Sequence, residues 1–133
     1  MKKVKVAHII TRLIKGGAQE SVILTAKHLS ARGFDVTVVS GFTAGPEGSI
    51  PLDEIKDSVR LYTIPQLTRE INVIKDLIAF VKLYTFIRRN RFDIVHTHTS
   101  KAGTLGRLAA FLAKTPIVIH TPHGHFFYGH FNI

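Results

Sequence analysis

Apolar residues in this chain fall into short unbroken runs, and stretches with a helical repeat separate them. Val4, Val6, Ala7, Ile9 and Ile10 make a nearly continuous apolar strand, the pattern expected when both sheet faces are covered. Ala18–Arg32 then reads as a helix. Val22, Ile23, Ala26 and Leu29 keep the 3.6-residue period, and Gly33 stands where a helix stop belongs. Val36–Ser40 is the second strand. Gly41–Pro51 is rich in Gly, Pro and Ser and reads as a loop, and Asp53–Asp57 as a short helical turn. Val59–Ile64 is the third strand, closed by Pro65. Asn72–Arg89 is the longest helix and Asp93–Val95 the fourth strand. Lys101–Ala113, with Ser100 as N-cap, is the next helix, and Ile117–His120 the fifth strand. A polar-aromatic loop follows from Gly124. Strands alternating with helices imply right-handed crossovers. The expected fold is therefore α/β: a Rossmann-like open parallel sheet flanked by helices, with strand order 3-2-1-4-5.

The long helix complicates this picture. Ile71, Val73, Ile74, Leu77, Ile78, Phe80, Val81, Leu83, Tyr84, Phe86 and Ile87 cover more than one stripe. A helix apolar nearly all round wants more burial than one sheet face supplies. It is expected to be a core helix under a loop. The alternative is a partly exposed apolar face, flanked by Lys75, Lys82, Arg88, Arg89 and Arg91, resting on a bilayer surface.

Composition bounds the rest. A chain of 133 residues with 45% hydrophobic content is one globular domain by length. No run reaches the roughly 18 apolar residues of a transmembrane helix. The basic start Met1-Lys2-Lys3-Val4-Lys5 shows no small-residue cleavage site and reads as cytosolic. The absence of cysteine removes disulfides and thiolate chemistry. A net charge of +9 attracts phosphates, nucleic acid or anionic lipid without choosing among them. Nucleic acid is disfavoured, because the basic residues are scattered and no stacking aromatics interleave with them.

Candidate chemistry gathers at three strand ends. Gly16-Gly17-Ala18-Gln19 follows the first strand, where glycines let a backbone approach a ligand and a helix N-terminus offers N–H groups. The spacing is not G-x-G-x-x-G, so no dinucleotide fingerprint is present. His96-Thr97-His98-Thr99-Ser100-Lys101-Ala102-Gly103 follows the fourth strand. His96 and His98 fall on one side of an extended chain. With His120, His123, His125 and His130 they would give enough nitrogens for a metal on paper. No Asp, Glu or Cys supports them nearby, and the residues are read as binding no metal. His98 is instead read as bonding to the following helix, with Lys101 reaching a phosphate. Thr121-Pro122-His123-Gly124 follows the fifth strand, and puts a histidine at the same edge for acid, base or hydrogen-bonding work.

Taken together, these motifs resemble the N-terminal domain of family-four-type glycosyltransferases, retaining enzymes of the GT-B fold with two Rossmann-like domains around a cleft. The segments that carry the resemblance are the first strand with Gly16-Gly17-Ala18-Gln19, Phe92–His98, Lys101-Ala102-Gly103-x-x-Gly106-Arg107 and Thr121-Pro122-His123-Gly124. The Lys101–Arg107 stretch and the His123-Gly124-His125-Phe126 turn look most like bacterial enzymes that build surface polysaccharides. The resemblance implies His123 beside the reacting sugar as the catalytic position. It implies Gly16, Gly17, Gln19, His98, Lys101, Gly103 and Gly124 as substrate-binding positions. No cofactor is expected. The implied partners are a nucleotide-sugar donor, held mainly by a second domain outside residues 1–133, and a glycan or lipid-linked acceptor. An anionic membrane surface is a further expected partner, and an uncovered sheet edge invites self-association. The expectation is the acceptor-side part of such a transferase, inactive alone, cytoplasmic or peripheral on the inner membrane face. The competing readings are a non-catalytic anion- or membrane-binding module and a GT-B-like nucleotide-sugar epimerase.

Overall fold

The computed structural model describes residues 2–12, 17–41 and 57–122. Among the described residues five strands and three helices follow in order: β1 (Lys5–Ile10), α1 (Gly17–Ala31), β2 (Asp35–Ser40), β3 (Arg60–Thr63), α2 (Val73–Asn90), β4 (Ile94–His98), α3 (Ser100–Leu112) and β5 (Ile117–Thr121). All pairings are parallel and the spatial order is β3-β2-β1-β4-β5, as the alternating pattern predicts. The reading of Gly41–Pro51 and Asp53–Asp57 falls almost wholly on residues 42–56, outside the described residues.

Because side chains alternate along a strand, each central strand supplies two cores. Ile10, Val36 and Val38 pack against Val22, Ile23 and Ala26 of α1 on one face. Ala7, Ile9, Val39 and Val95 pack against Leu83 and Ile87 of α2 and Ala109 and Ala110 of α3 on the other. Local chemistry sets the helix ends. Gly33 takes a φ of 95°, the left-handed turn that ends α1. Asn72 caps α2, its side-chain oxygen accepting from the Lys75 amide at 3.0 Å. Arg88 and Arg89 oppose the negative end of the helix dipole in the last turn.

Three expectations need correction. The fourth strand runs to His98 rather than stopping at Val95, because His96 and Thr97 continue its pairing with β1 and β5. The α3 N-cap is Thr99, not Ser100, and its side chain makes no capping bond. The long helix is not a core helix under a loop. Only Ala79, Leu83 and Ile87 are fully buried, while Val73, Ile74, Leu77, Ile78 and Val81 are exposed.

Candidate functional site

In a parallel sheet of this order the carboxyl ends of β1 and β4 lie side by side at the point where the chain reverses direction across the sheet, and ligand crevices form there. A cavity of about 380 Å³ sits at this edge. Thr11 and Arg12 come to it from the end of β1, and Gln19 from the first turn of α1. Thr99, Ser100 and Lys101 come from the β4–α3 junction, and Arg69 from the segment after β3. Four chain segments thus converge, and they bring hydroxyls, an amide and three cations, with no carboxylate among the described residues that line the cavity. Hydroxyl and cationic donors facing one hollow suit a ligand that is both hydroxyl-rich and anionic.

The junction itself is strained. Thr99 has φ 68° and ψ 172°, a conformation a β-branched residue rarely adopts. Such strain costs on the order of 1–3 kcal/mol and concentrates where backbone faces a ligand. The Thr99 hydroxyl lies 3.3 Å from that of Thr11, which ties the ends of β4 and β1 together across the floor of the crevice.

Lys101 enters the crevice already engaged. Its ammonium donates to Asp76 Oδ1 at 2.8 Å and to the carbonyl of Glu70. The hydrogen bond from Lys101 holds the Asp76 carboxyl below its usual range, helped by the Asn72 amide and by the charge of Lys101. The pair therefore fastens the N-terminus of α3 to that of α2 and shapes the wall, leaving Arg12 and Arg69 as the other cations of the hollow. Arg69 was not legible as a site residue, since Pro65–Thr68 separates it from β3 and no motif surrounds it.

The remaining predicted positions scatter. Gly17 is the first residue of α1, at the crevice edge of the sheet. Gly103 lies inside α3, not in a loop, and a Cβ there would stand 2.4 Å from Cε1 of His120. Its smallness lets α3 close onto β5, and it lies outside the crevice lining. His98 is only 4% exposed and turns away from α3. Its Nε2 lies 3.1 Å from Nδ1 of His8 in β1. Gly16, His123 and Gly124 lie outside the described residues. β5 delivers the chain to the same edge at Thr121 and Pro122.

The sequence profile of Glycosyltransferase Family 4 matches residues 15–133. The chain belongs to this family. A UDP-Gal:alpha-D-GlcNAc-diphosphoundecaprenol alpha-1,3-galactosyltransferase from Escherichia coli is 39% identical over 123 residues, which is 92% of this chain and 30% of that protein. The capsular polysaccharide biosynthesis glycosyltransferase CapM of Staphylococcus aureus is 30% identical over 129 residues, again 93% of this chain and 30% of the relative. The chain thus spans about 30% of the length of these curated relatives. Among solved structures, the sucrose-phosphate synthase of Thermosynechococcus elongatus superposes with a TM-score of 0.66 at 17% identity, over 96% of this chain and 35% of that one. That likeness concerns fold, and it agrees with a GT-B-type Rossmann-like sheet.

Proposed function

We propose that this family-four domain is the acceptor-side part of a glycosyltransferase that moves a sugar from a nucleotide-sugar to a glycan or lipid-linked acceptor. The observation that carries the reading is the convergence of Thr11, Arg12, Gln19, Arg69, Thr99 and Lys101 around one hollow at the carboxyl edge of the sheet. Arginines there suit the diphosphate of a lipid-linked sugar, and the hydroxyls and Gln19 suit its sugar ring. The Escherichia coli relative acts on such a diphosphate-linked lipid by its name. His123, at the sequence position after β5, would hydrogen-bond the reacting sugar. These residues form one wall of a cleft. Transfer needs a closed site that excludes water from the activated donor, so residues 1–133 alone should bind acceptor without turnover. With a lipid-diphosphate sugar as acceptor and UDP-galactose as donor, the account expects measurable acceptor binding and no transfer product. Product formed by these residues alone, or no binding of the acceptor, would overturn it.

A membrane-surface contact fits the same reading. Val73, Ile74, Leu77, Ile78 and Val81 are exposed on α2, and Lys75, Arg88 and Arg89 are exposed on the same helix. Among the described residues no helix is long and apolar enough to cross a bilayer. An apolar face with basic flanks lies in the interface instead, drawn by anionic lipid. The chain is expected to co-sediment with anionic vesicles at low salt and to detach as salt rises, because the attraction is screened within about 10 Å at 0.1 M. Leu77→Glu should reduce the bound fraction several-fold. If the chain stays in the supernatant at low salt, the membrane contact is wrong.

A further inference from the structure

On the α1 face of the sheet, below the crevice, three histidines meet. His8 in β1 stands directly beside His96 in β4 in the strand register, and His98 follows two residues along on the same side. The ring centroids of His8 lie 5.0 Å from those of His96 and 5.3 Å from those of His98, and the His96 and His98 rings are 4.2 Å apart. Each ring offers a nitrogen such that all three lie within 4.8 Å of one another. From this we infer that His8, His96 and His98 form a binding site for a late first-row divalent cation, with Zn2+ as the fitting ion.

Three observations support the assignment. The His8 Nδ1 to His98 Nε2 separation of 3.1 Å is close to the edge of a tetrahedron built on metal–nitrogen bonds of about 2.0–2.1 Å, roughly 3.3 Å. His96 Nε2 lies 2.6 Å from the Thr121 hydroxyl. With Nε2–H donating to that oxygen, the lone pair falls on Nδ1, the outer hydrogen bond that orients metal-ligating imidazoles. His8 is fully buried, so its Nδ1 meets His98 rather than solvent.

The donor chemistry selects the ion. Three imidazoles without carboxylate or thiolate suit Zn2+, Co2+ or Ni2+ and are poor for Mg2+ and Ca2+, which demand oxygen. Three protein ligands leave a fourth position for water or another small donor. His96 is only partly buried, which gives the ion a way in. The histidine pair of β4 alone lacked a third ligand, and the β1–β4 pairing supplies one from 88 residues away. The site is independent of the proposed transferase reading.

The test is a Zn2+ titration of the untagged 133-residue chain against a competing chromophoric chelator, with thermal melts in parallel. One Zn2+ per chain should bind, and the melting temperature should rise with Zn2+ because the ion binds only the folded state. Co2+ should give the intense visible bands of a four-coordinate site. His98→Gln and, at the more exposed position, His96→Gln should each weaken binding at least tenfold and abolish the thermal shift. His125→Gln combined with His130→Gln should leave both unchanged. Zn2+ affinity that is unaffected by His96→Gln and His98→Gln, or no binding by the unaltered chain, overturns the site.

Discussion

Gly41→Ala will destabilise the domain by about 3 kcal/mol or more, above the usual 1–3 kcal/mol range for overpacking. Gly41 follows β2 at the crevice edge of the sheet, and its amide donates to the Thr11 carbonyl at 2.8 Å. A Cβ there would stand 1.9 Å from the Leu67 carbonyl oxygen and 2.6 Å from that of Thr11. Both obstacles are backbone, so no side-chain rotation relieves them. Leu67 is itself buried, and its amide is held by the Ile64 carbonyl at 3.0 Å. The substitution must push apart the ends of β1 and the segment after β3, the two pieces that carry Arg12 and Arg69 to the crevice. For a domain of this size the melting temperature should fall by roughly 10 °C, with acceptor binding lost in the molecules that remain folded. A melting temperature within a degree or two of the unaltered protein would mean the backbone packing at this edge is misplaced.

The second large effect concerns His123. In a transferase of full family length that carries this chain, His123→Ala should lower kcat by roughly 10²–10³-fold, the scale of removing one hydrogen-bonding or proton-handling group from a closed site. The expectation rests on its place in the sequence. β5 ends at Thr121, beside the end of β4 in register, so the chain leaves the sheet at the edge that holds the crevice. Since the proposed role is hydrogen bonding to the reacting sugar, the loss should fall mainly on kcat rather than on acceptor affinity. An unchanged melting temperature would exclude a folding cause. Near-normal turnover would remove His123 from the site.

The sequence disclosed the sheet more fully than the site, and the reason is physical. Apolar runs such as Val4–Ile10 and the helical repeat of Ala18–Arg32 report burial directly, and the crossover rules convert their alternation into a strand order. The end of β4 was misread because His96, Thr97 and His98 are polar, and polar residues after an apolar run look like a turn. Their strand pairing is fixed by β1 and β5, which local composition does not reveal. Gly103 gives no sign in the sequence of which role it serves, because close helix-to-strand packing and close ligand approach leave the same mark. Of the predicted positions, Gln19 and Lys101 line one hollow. Lys101 arrived with Asp76 attached, a partner 25 residues earlier whose relevance depends on how α2 packs on α3. Arg69 and His8 carry no local signal at all. One is a surface-type residue between turns and the other a single polar residue inside an apolar strand, and only tertiary placement gives either a role.

Hollows lined by cations lie at both the carboxyl and the amino edge of the sheet. One holds Arg12, Arg69 and Lys101 at the carboxyl edge, and the other holds Lys2, Arg91 and Lys114 at the amino edge. Titrating a sugar diphosphate into the isotope-labelled chain and following backbone amide shifts distinguishes them residue by residue. The account predicts that Thr11, Gln19, Arg69, Thr99 and Ser100 respond together with one affinity. Shifts confined to Lys2, Arg91 and Lys114, with the β1–β4 crevice silent, would contradict it.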